Sequence, residues 1–327
     1  MMTAFPEHIA PRSLRFRAVT GLIVVLAAIP LVTAALDTPF YVTLALRILI
    51  FGLAATSLNL VLGYGGLVSF GHALYLGLGA YAVAVLSFHG VTNGWVHLGV
   101  ALLASALVSF LTGLVCLRTS GIAFIMITLA FAQMFFFLAT SLKYYGGDDG
   151  LAVSQRSDFS PLFSIQSNTG LYYFTLATLL ATLYLSWRFV HSRFGRVLRG
   201  SSSNLRRMNA LGFPMLRYQV AAYVLSSCLC GVAGFLLGNL ARFASPAYMA
   251  WTVSGDLIVI IIIGGVGTIM GPLIGAIVYV ILETVVAAYT QHWMVVLGPI
   301  ILLVALFAQR GLYGSLVARE GRAGSRP

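Results

Sequence analysis

The run LNLVLGYGGLVSFGHALYLGLGAYAVAVL, Leu58 to Leu86, decides the fold of this chain. It holds no charged side chain, and in lipid such a stretch has to be helical, because an open strand edge leaves backbone groups unpaired. Yet Gly63, Gly65, Gly66 and Gly71 fall within it, more than one unbroken helix tolerates unless neighbours compensate. The expectation is a discontinuous helical segment. Outward from it, residues 48 to 117 contain no Asp, Glu, Lys or Arg, which leaves room for three spans at about 20 residues each.

The same length rule marks further spans at Ala18–Leu36, Gly121–Leu142, Gly170–Trp187, Tyr218–Ala241, Thr268–Tyr289 and His292–Ala308, with a short apolar run at Leu257–Ile263. Composition agrees: 60% of residues are hydrophobic and 8% charged, with a mean hydropathy of +0.97, far from a soluble balance. The fold class is an all-α, polytopic integral membrane protein. Counting the short run as a crossing gives about ten transmembrane helices with both termini cytoplasmic; the sequence alone would also allow eight. Residues 1–17 then form a cytoplasmic N-terminal segment, 18–309 the transmembrane domain, and 310–327 a cytoplasmic tail. The first apolar core is longer than that of a signal peptide and reads as an uncleaved anchor.

Charge sets the orientation. Arg12, Arg15 and Arg17 precede the first span, Arg310, Arg319, Arg322 and Arg326 follow the last, and five arginines crowd RFGRVLRGSSSNLRRMNALGFP, Arg193 to Pro214. Placing all three groups inside makes 188–217 a cytoplasmic loop and 143–169, with Asp148, Asp149 and Asp158, an external one. The net charge of +11 is explained by this asymmetry and by anionic lipid headgroups, without nucleic acid. Lys143 is the sole lysine, so no Walker-type phosphate loop is present. Cys116, Cys228 and Cys230 read as small apolar fillers rather than a disulfide framework or metal site. No catalytic motif, metal spacing or cofactor motif appears. Glu283 is the one carboxylate deep in an expected span, sparse equipment for a proton- or sodium-driven carrier.

In VHSRFGRVLR, Val190, Phe194, Val197 and Leu198 share one helical face and Arg193, Arg196 and Arg199 another, the pattern of an interfacial helix. Gly200 is expected to break it, Ser203 or Asn204 to cap a second helix, and Gly212 with Pro214 to end that helix. This short helix carries Leu205, Met208 and Leu211 on one side and Arg206, Arg207 and Asn209 on the other. The pattern fits either a topology-fixing loop or a docking knob for a cytoplasmic partner. A second glycine-rich interruption, IIIIGGVGTIMGPLIGAIVYVILE, holds Gly264, Gly265 and Gly267. One break in each half is a pointer to a transport pathway. Asn59, Ser69, His72 and Tyr75 lie around the first break, and Thr268 and Glu283 follow the second. These are the expected pathway residues, each with a structural role as the alternative. Arg47 is the candidate partner for Glu283, and Gly234, Gly238, Gly271 and Gly275 mark faces for close helix packing.

Taken together, the Leu58–Leu86 run, GGDDGL at Gly146–Leu151, FGRVLR followed by ALGFPMLRY, GVAGFLLGNLARFASP, GGVGTIMGPLIGA and FAQRGLYG resemble the LivM-like permease subunits of ABC importers for branched-chain amino acids. The resemblance implies a bacterial-type inner-membrane subunit, not itself an enzyme. Its implied partners are a second, LivH-like permease, two cytoplasmic ATP-binding subunits and an external solute-binding protein. It also implies that Arg196, Arg199, Asn204, Leu205, Arg206, Arg207, Met208, Leu211 and Gly212 belong to a helix that couples to the ATPase. Asp148 and Asp149 would face the binding protein. Where the family usually has acidic residues and alanines before ALG, this chain has SSSNLRRMN.

Overall fold

The computed structural model describes residues 21–30, 39–160, 163–290, 292, 295–296, 298–299 and 311–313. They fold into an almost wholly helical bundle. In chain order its helices are α1 (Gly21–Pro30), α2 (Pro39–Asn59), α3 (His72–Phe88), α4 (Gly94–Cys116), α5 (Ile122–Ser141), α6 (Asn168–His191), α7 (Arg193–Ser203), α8 (Leu205–Ala210), α9 (Met215–Ala241), α10 (Trp251–Gly264) and α11 (Gly271–Tyr289). A π-helical stretch, Leu60–Tyr64, extends α2. Two-residue strands β1 (Leu151–Ala152) and β2 (Phe243–Ala244) pair antiparallel. Among the described residues five helices are long and apolar enough to cross a membrane: α2 with its π extension, α4, α5, α9 and α11. Helices α1, α3 and α10 are shorter and apolar. Of the expected spans, only 21–30 of the first is described, and the last, at His292–Ala308, falls almost wholly outside the described residues.

Packing follows the logic of lipid, where small residues rather than large ones line helix contacts. On α4 the buried positions are Gly94, His97, Ala101, Ser105, Ser109, Thr112, Gly113 and Cys116, a stripe at helical spacing, while Leu103, Leu107, Phe110 and Leu111 point outward. The small stripe meets α9, where a Cβ on Gly231 would strike Ser105. Gly234 and Gly238 bring α9 against Leu76 and Ala80 of α3 in the same way, and Gly275 brings α11 against Ile260 of α10. Larger side chains at these positions would push the helices apart.

The bundle has two unlike ends. One holds Arg118, Arg188 and the arginines of α7, α8 and the start of α9; Leu117 and Arg118 share a groove there with Leu205, Asn209 and Pro214. At the other end the turn before α4 meets the long loop, with the Gly94 amide donating to the Asp158 carbonyl at 2.6 Å, and β1 joins β2. Lys143, Arg156 and Arg242 lie there with Asp148, Asp149 and Asp158.

The run expected at Leu257–Ile263 is the C-terminal half of a longer helix. α10 begins at the β2 end and its 14 residues cover about 21 Å, bringing Gly264 to the arginine-rich side. Its N-terminal half is hidden in the sequence by Thr252, Ser254, Gly255 and Asp256, whose polarity breaks the hydropathy signal. The bundle satisfies two of these: Ser254 Oγ accepts from the Ala73 amide at 2.9 Å and Asp256 accepts from the Tyr279 hydroxyl at 2.8 Å. Thr268, expected within the next span, instead sits in the break before α11. Gly311 packs on Gly265 at the arginine-rich end, opposite the end where α11 finishes.

Candidate functional site

The two glycine breaks touch. A Cβ on Gly63 would lie 2.6 Å from the Gly267 nitrogen and 2.8 Å from its Cα, so the backbones meet without side chains between them. Gly267 (φ 73°) and Gly265 (φ 123°) hold conformations that favour glycine. Asn59 braces the meeting point. Its Oδ1 accepts from the Gly267 amide at 3.0 Å and its Nδ2 donates to the Thr268 carbonyl at 2.8 Å. Thr268 Oγ1 in turn donates to the Gly265 carbonyl at 2.7 Å. A broken helix in an apolar bundle needs such substitutes for its lost backbone partners.

The first break leads into α3, whose N-terminus starts inside the protein and exposes amide groups that no helical carbonyl can take. Side chains from three elements supply the acceptors. Thr128 Oγ1 of α5 takes the Phe70 amide at 3.2 Å, Ser69 Oγ takes that of Gly71 at 3.2 Å, and Ser254 Oγ of α10 takes that of Ala73 at 2.9 Å. His72 lies in the same knot. Ser226 Oγ donates to the Ser57 carbonyl at 2.5 Å, so toward His72 Nε2, 2.9 Å away, it is the acceptor. The imidazole therefore carries a proton on Nε2, and its Nδ1 lies 3.1 Å from Ser69 Oγ. Tyr75 joins Thr112 at 2.9 Å and Tyr223 at 3.1 Å. Ser69, His72 and Tyr75 are 0% exposed and Asn59 1%. Within this chain all four hold helices together.

Glu283 sits elsewhere, in the half of α11 nearer the β1–β2 end. Its Oε1 accepts from Arg47 Nη2 at 2.8 Å, and that guanidinium also lies over the Phe51 ring at 5.6 Å. The breaks and the pair are thus separate sites: Arg47 lies near the middle of α2, whereas Asn59 ends it.

At the arginine-rich end Leu198 of α7 is buried, whereas Arg193 and Arg196 are exposed; Val190, expected on the same helical face, is buried at the end of α6, because Ser192 separates the two helices. Arg199 folds back to donate to the Val190 carbonyl at 3.0 Å. Gly200 does not break the helix. It lies within α7 and lets Met208 of α8 pack close, since a Cβ there would fall 2.8 Å from Met208 Sδ. The break comes at Asn204, whose Oδ1 caps α8 by accepting from the Arg207 amide at 2.9 Å. Gly212 (φ 86°) ends it. Leu205, Arg206, Arg207 and Leu211 are exposed and Met208 is half-buried. Ser202, at the end of α7, touches the first break: a Cβ on Gly66 (φ 69°) would lie 2.8 Å from Ser202 Cβ. Nothing in sequence periodicity signalled this contact.

At the opposite end GGDDG is a tight double turn in which Gly146, Gly147 and Gly150 take positive φ, presenting Asp148 and Asp149 to solvent. Arg156, which the sequence reading passed over, anchors the loop. It is 5% exposed and donates to the Asn239 and Gln166 carbonyls at 3.1 and 2.8 Å and to Asn168 Oδ1 at 2.6 Å. Burial, with Arg242 nearby, holds its pKa below the usual arginine value. The three cysteines are free thiols.

The profile of the branched-chain amino acid transport system permease component family matches residues 40–306. The high-affinity branched-chain amino acid transport system permease protein LivM of Salmonella typhimurium is 24% identical over 310 residues, covering 86% of this chain and 73% of the relative. LivH of Escherichia coli is 25% identical over 281 residues, 81% of this chain and 91% of the relative. A probable LivM of Methanocaldococcus jannaschii is 25% identical over 296 residues, covering 78% and 84%. No solved structure matches. A helical bundle broken by glycine at two touching points, matched by the family profile from its second helix onward, makes this chain a member of the branched-chain amino acid transport system permease component family.

Proposed function

We propose that this chain is one permease half of an ABC importer of a bacterial-type inner membrane, moving branched-chain amino acids or closely related small solutes. ATP hydrolysis resides on two separate cytoplasmic subunits, a LivH-like permease completes the passage, and a solute-binding protein delivers substrate at the outer face. The arginine-rich end is cytoplasmic by the distribution of Arg and Lys. The observation that carries the reading is the contact of α7 with the first break. The exposed, capped α8 docks on an ATPase, α7 is packed on α8 through Gly200 and Met208, and Ser202 reaches Gly66. Motion at the ATPase is thereby delivered to the point where Gly63 meets Gly267. The Asp148–Asp149 turn is the binding-protein contact. Asn59 and Thr268 position the inner break, and Ser69, His72 and Tyr75 stiffen the helix behind it.

Reconstitution in liposomes tests this. Uptake of leucine is expected only when the partner permease, both ATPases, ATP and the binding protein are present. Uptake by this chain alone, driven by an ion gradient, would overturn the reading in favour of a secondary carrier.

A further inference from the structure

Helices α2, α10 and α11 each contain a single charged residue, Arg47, Asp256 and Glu283 respectively, and the fold brings all three together. Arg47 pairs with Glu283 at 2.8 Å, Asp256 takes the Tyr279 hydroxyl at 2.8 Å, and Asp256 lies within electrostatic range of both other charges. The set holds one guanidinium against two carboxylates. Among the described residues Asp256 has a neutral hydroxyl as its hydrogen-bonded partner and no cation within ion-pair distance. An unbalanced carboxylate is costly between apolar helices unless it meets water or a passing cation. The cluster is also open: the Arg47 side chain is 42% exposed against 13% for Glu283. One turn further out, Thr43 on α2 and Thr252 on α10 are exposed as well, and residues four apart share a helix face.

We propose that Arg47 and Asp256 form a binding station for the two charged ends of a zwitterionic amino acid: the ammonium on Asp256 beside Tyr279, and the carboxylate on the guanidinium, which Glu283 holds between passages. The station rests on the amino-acid importer reading and adds to it the place in this chain where the substrate's charges are met. A zwitterion needs both signs at one site, and Arg can share its planar donors between two carboxylates.

The test uses the complete complex in proteoliposomes, with Asp256→Asn in this chain. Asparagine keeps an acceptor for Tyr279, and co-purification of the ATPases with an unshifted melting temperature reports intact assembly. Leucine uptake is expected to fall at least about tenfold, the scale of one charged hydrogen bond, with Asp256→Glu restoring part of it. In a second arm Cys228 is replaced by serine and Thr252 by cysteine, and the complex is freed of binding protein. Millimolar leucine then slows thiol labelling, whereas isovalerate, which lacks the ammonium, does not. Wild-type leucine uptake by Asp256→Asn, or equal protection by leucine and isovalerate, overturns the station alone. If the wild-type complex moves no amino acid, the importer reading falls and the station with it.

Discussion

Asn59 offers both ends of its carboxamide to the second break, and no other amino acid of similar size supplies an acceptor and a donor in that arrangement. Asn59→Ala leaves the Gly267 amide and the Thr268 carbonyl without these partners. The expected cost is about 2–4 kcal/mol, read as a lower melting temperature of the detergent-solubilised protein; an unchanged melting temperature would contradict the brace. Arg156 works in the same manner at the other end. Arg156→Met strips donors from three acceptors, the buried Asn239 carbonyl among them, and the loop at 143–167 should become susceptible to protease with a loss of about 2–4 kcal/mol. Asn59 was legible in the sequence as a polar residue beside a glycine break, but its partner was not, because 208 positions separate it from Gly267. Arg156 left no signal at all. It stands in a polar loop, and composition does not tell a buried anchor there from a solvated charge.

At the scale of elements, the glycines carry most of the meaning. Long charge-free runs made the spans legible, and the four-residue spacing of Gly234 and Gly238 announced a close helix contact. Where the reading failed, polarity misled it. Ser254 and Asp256 made the N-terminal half of α10 look like a loop because the sequence does not reveal that α3 and α11 satisfy them. Gly200 looked like a helix end, whereas its lack of a side chain serves the neighbour α8. The contact of α7 with the first break yields a sharper expectation. Gly66→Ala places a Cβ at a left-handed position, costing about 1–2 kcal/mol, and crowds Ser202. Substrate-stimulated ATP hydrolysis by the complex should fall, while Ser202→Ala, which removes only a hydroxyl bonded within its own helix at 2.8 Å, should leave it near wild type. Equal behaviour of the two variants would remove the contact from the coupling path.

For the whole molecule, the arginine-rich end and the Asp148–Asp149 end define an axis, and the breaks lie toward the arginine-rich end. Membrane-impermeant thiol reagents can check this. Val266→Cys, in the second break, should label from the same side as Arg206→Cys, and Asp148→Cys from the other. Labelling of Val266→Cys from the Asp148 side would reverse α10 and undo the topology.

The central claim is that α8 joins this chain to an ATPase. Its most direct measurement is purification of the membrane complex with the wild-type chain and with Arg206→Glu and Arg207→Glu combined, scoring ATPase co-purification and substrate-stimulated ATP hydrolysis. Both side chains are exposed, so the variant is expected to fold. The account predicts an ATPase with the wild type, and its loss or uncoupling in the variant. An ATPase absent from both, or bound and stimulated equally in both, would contradict it.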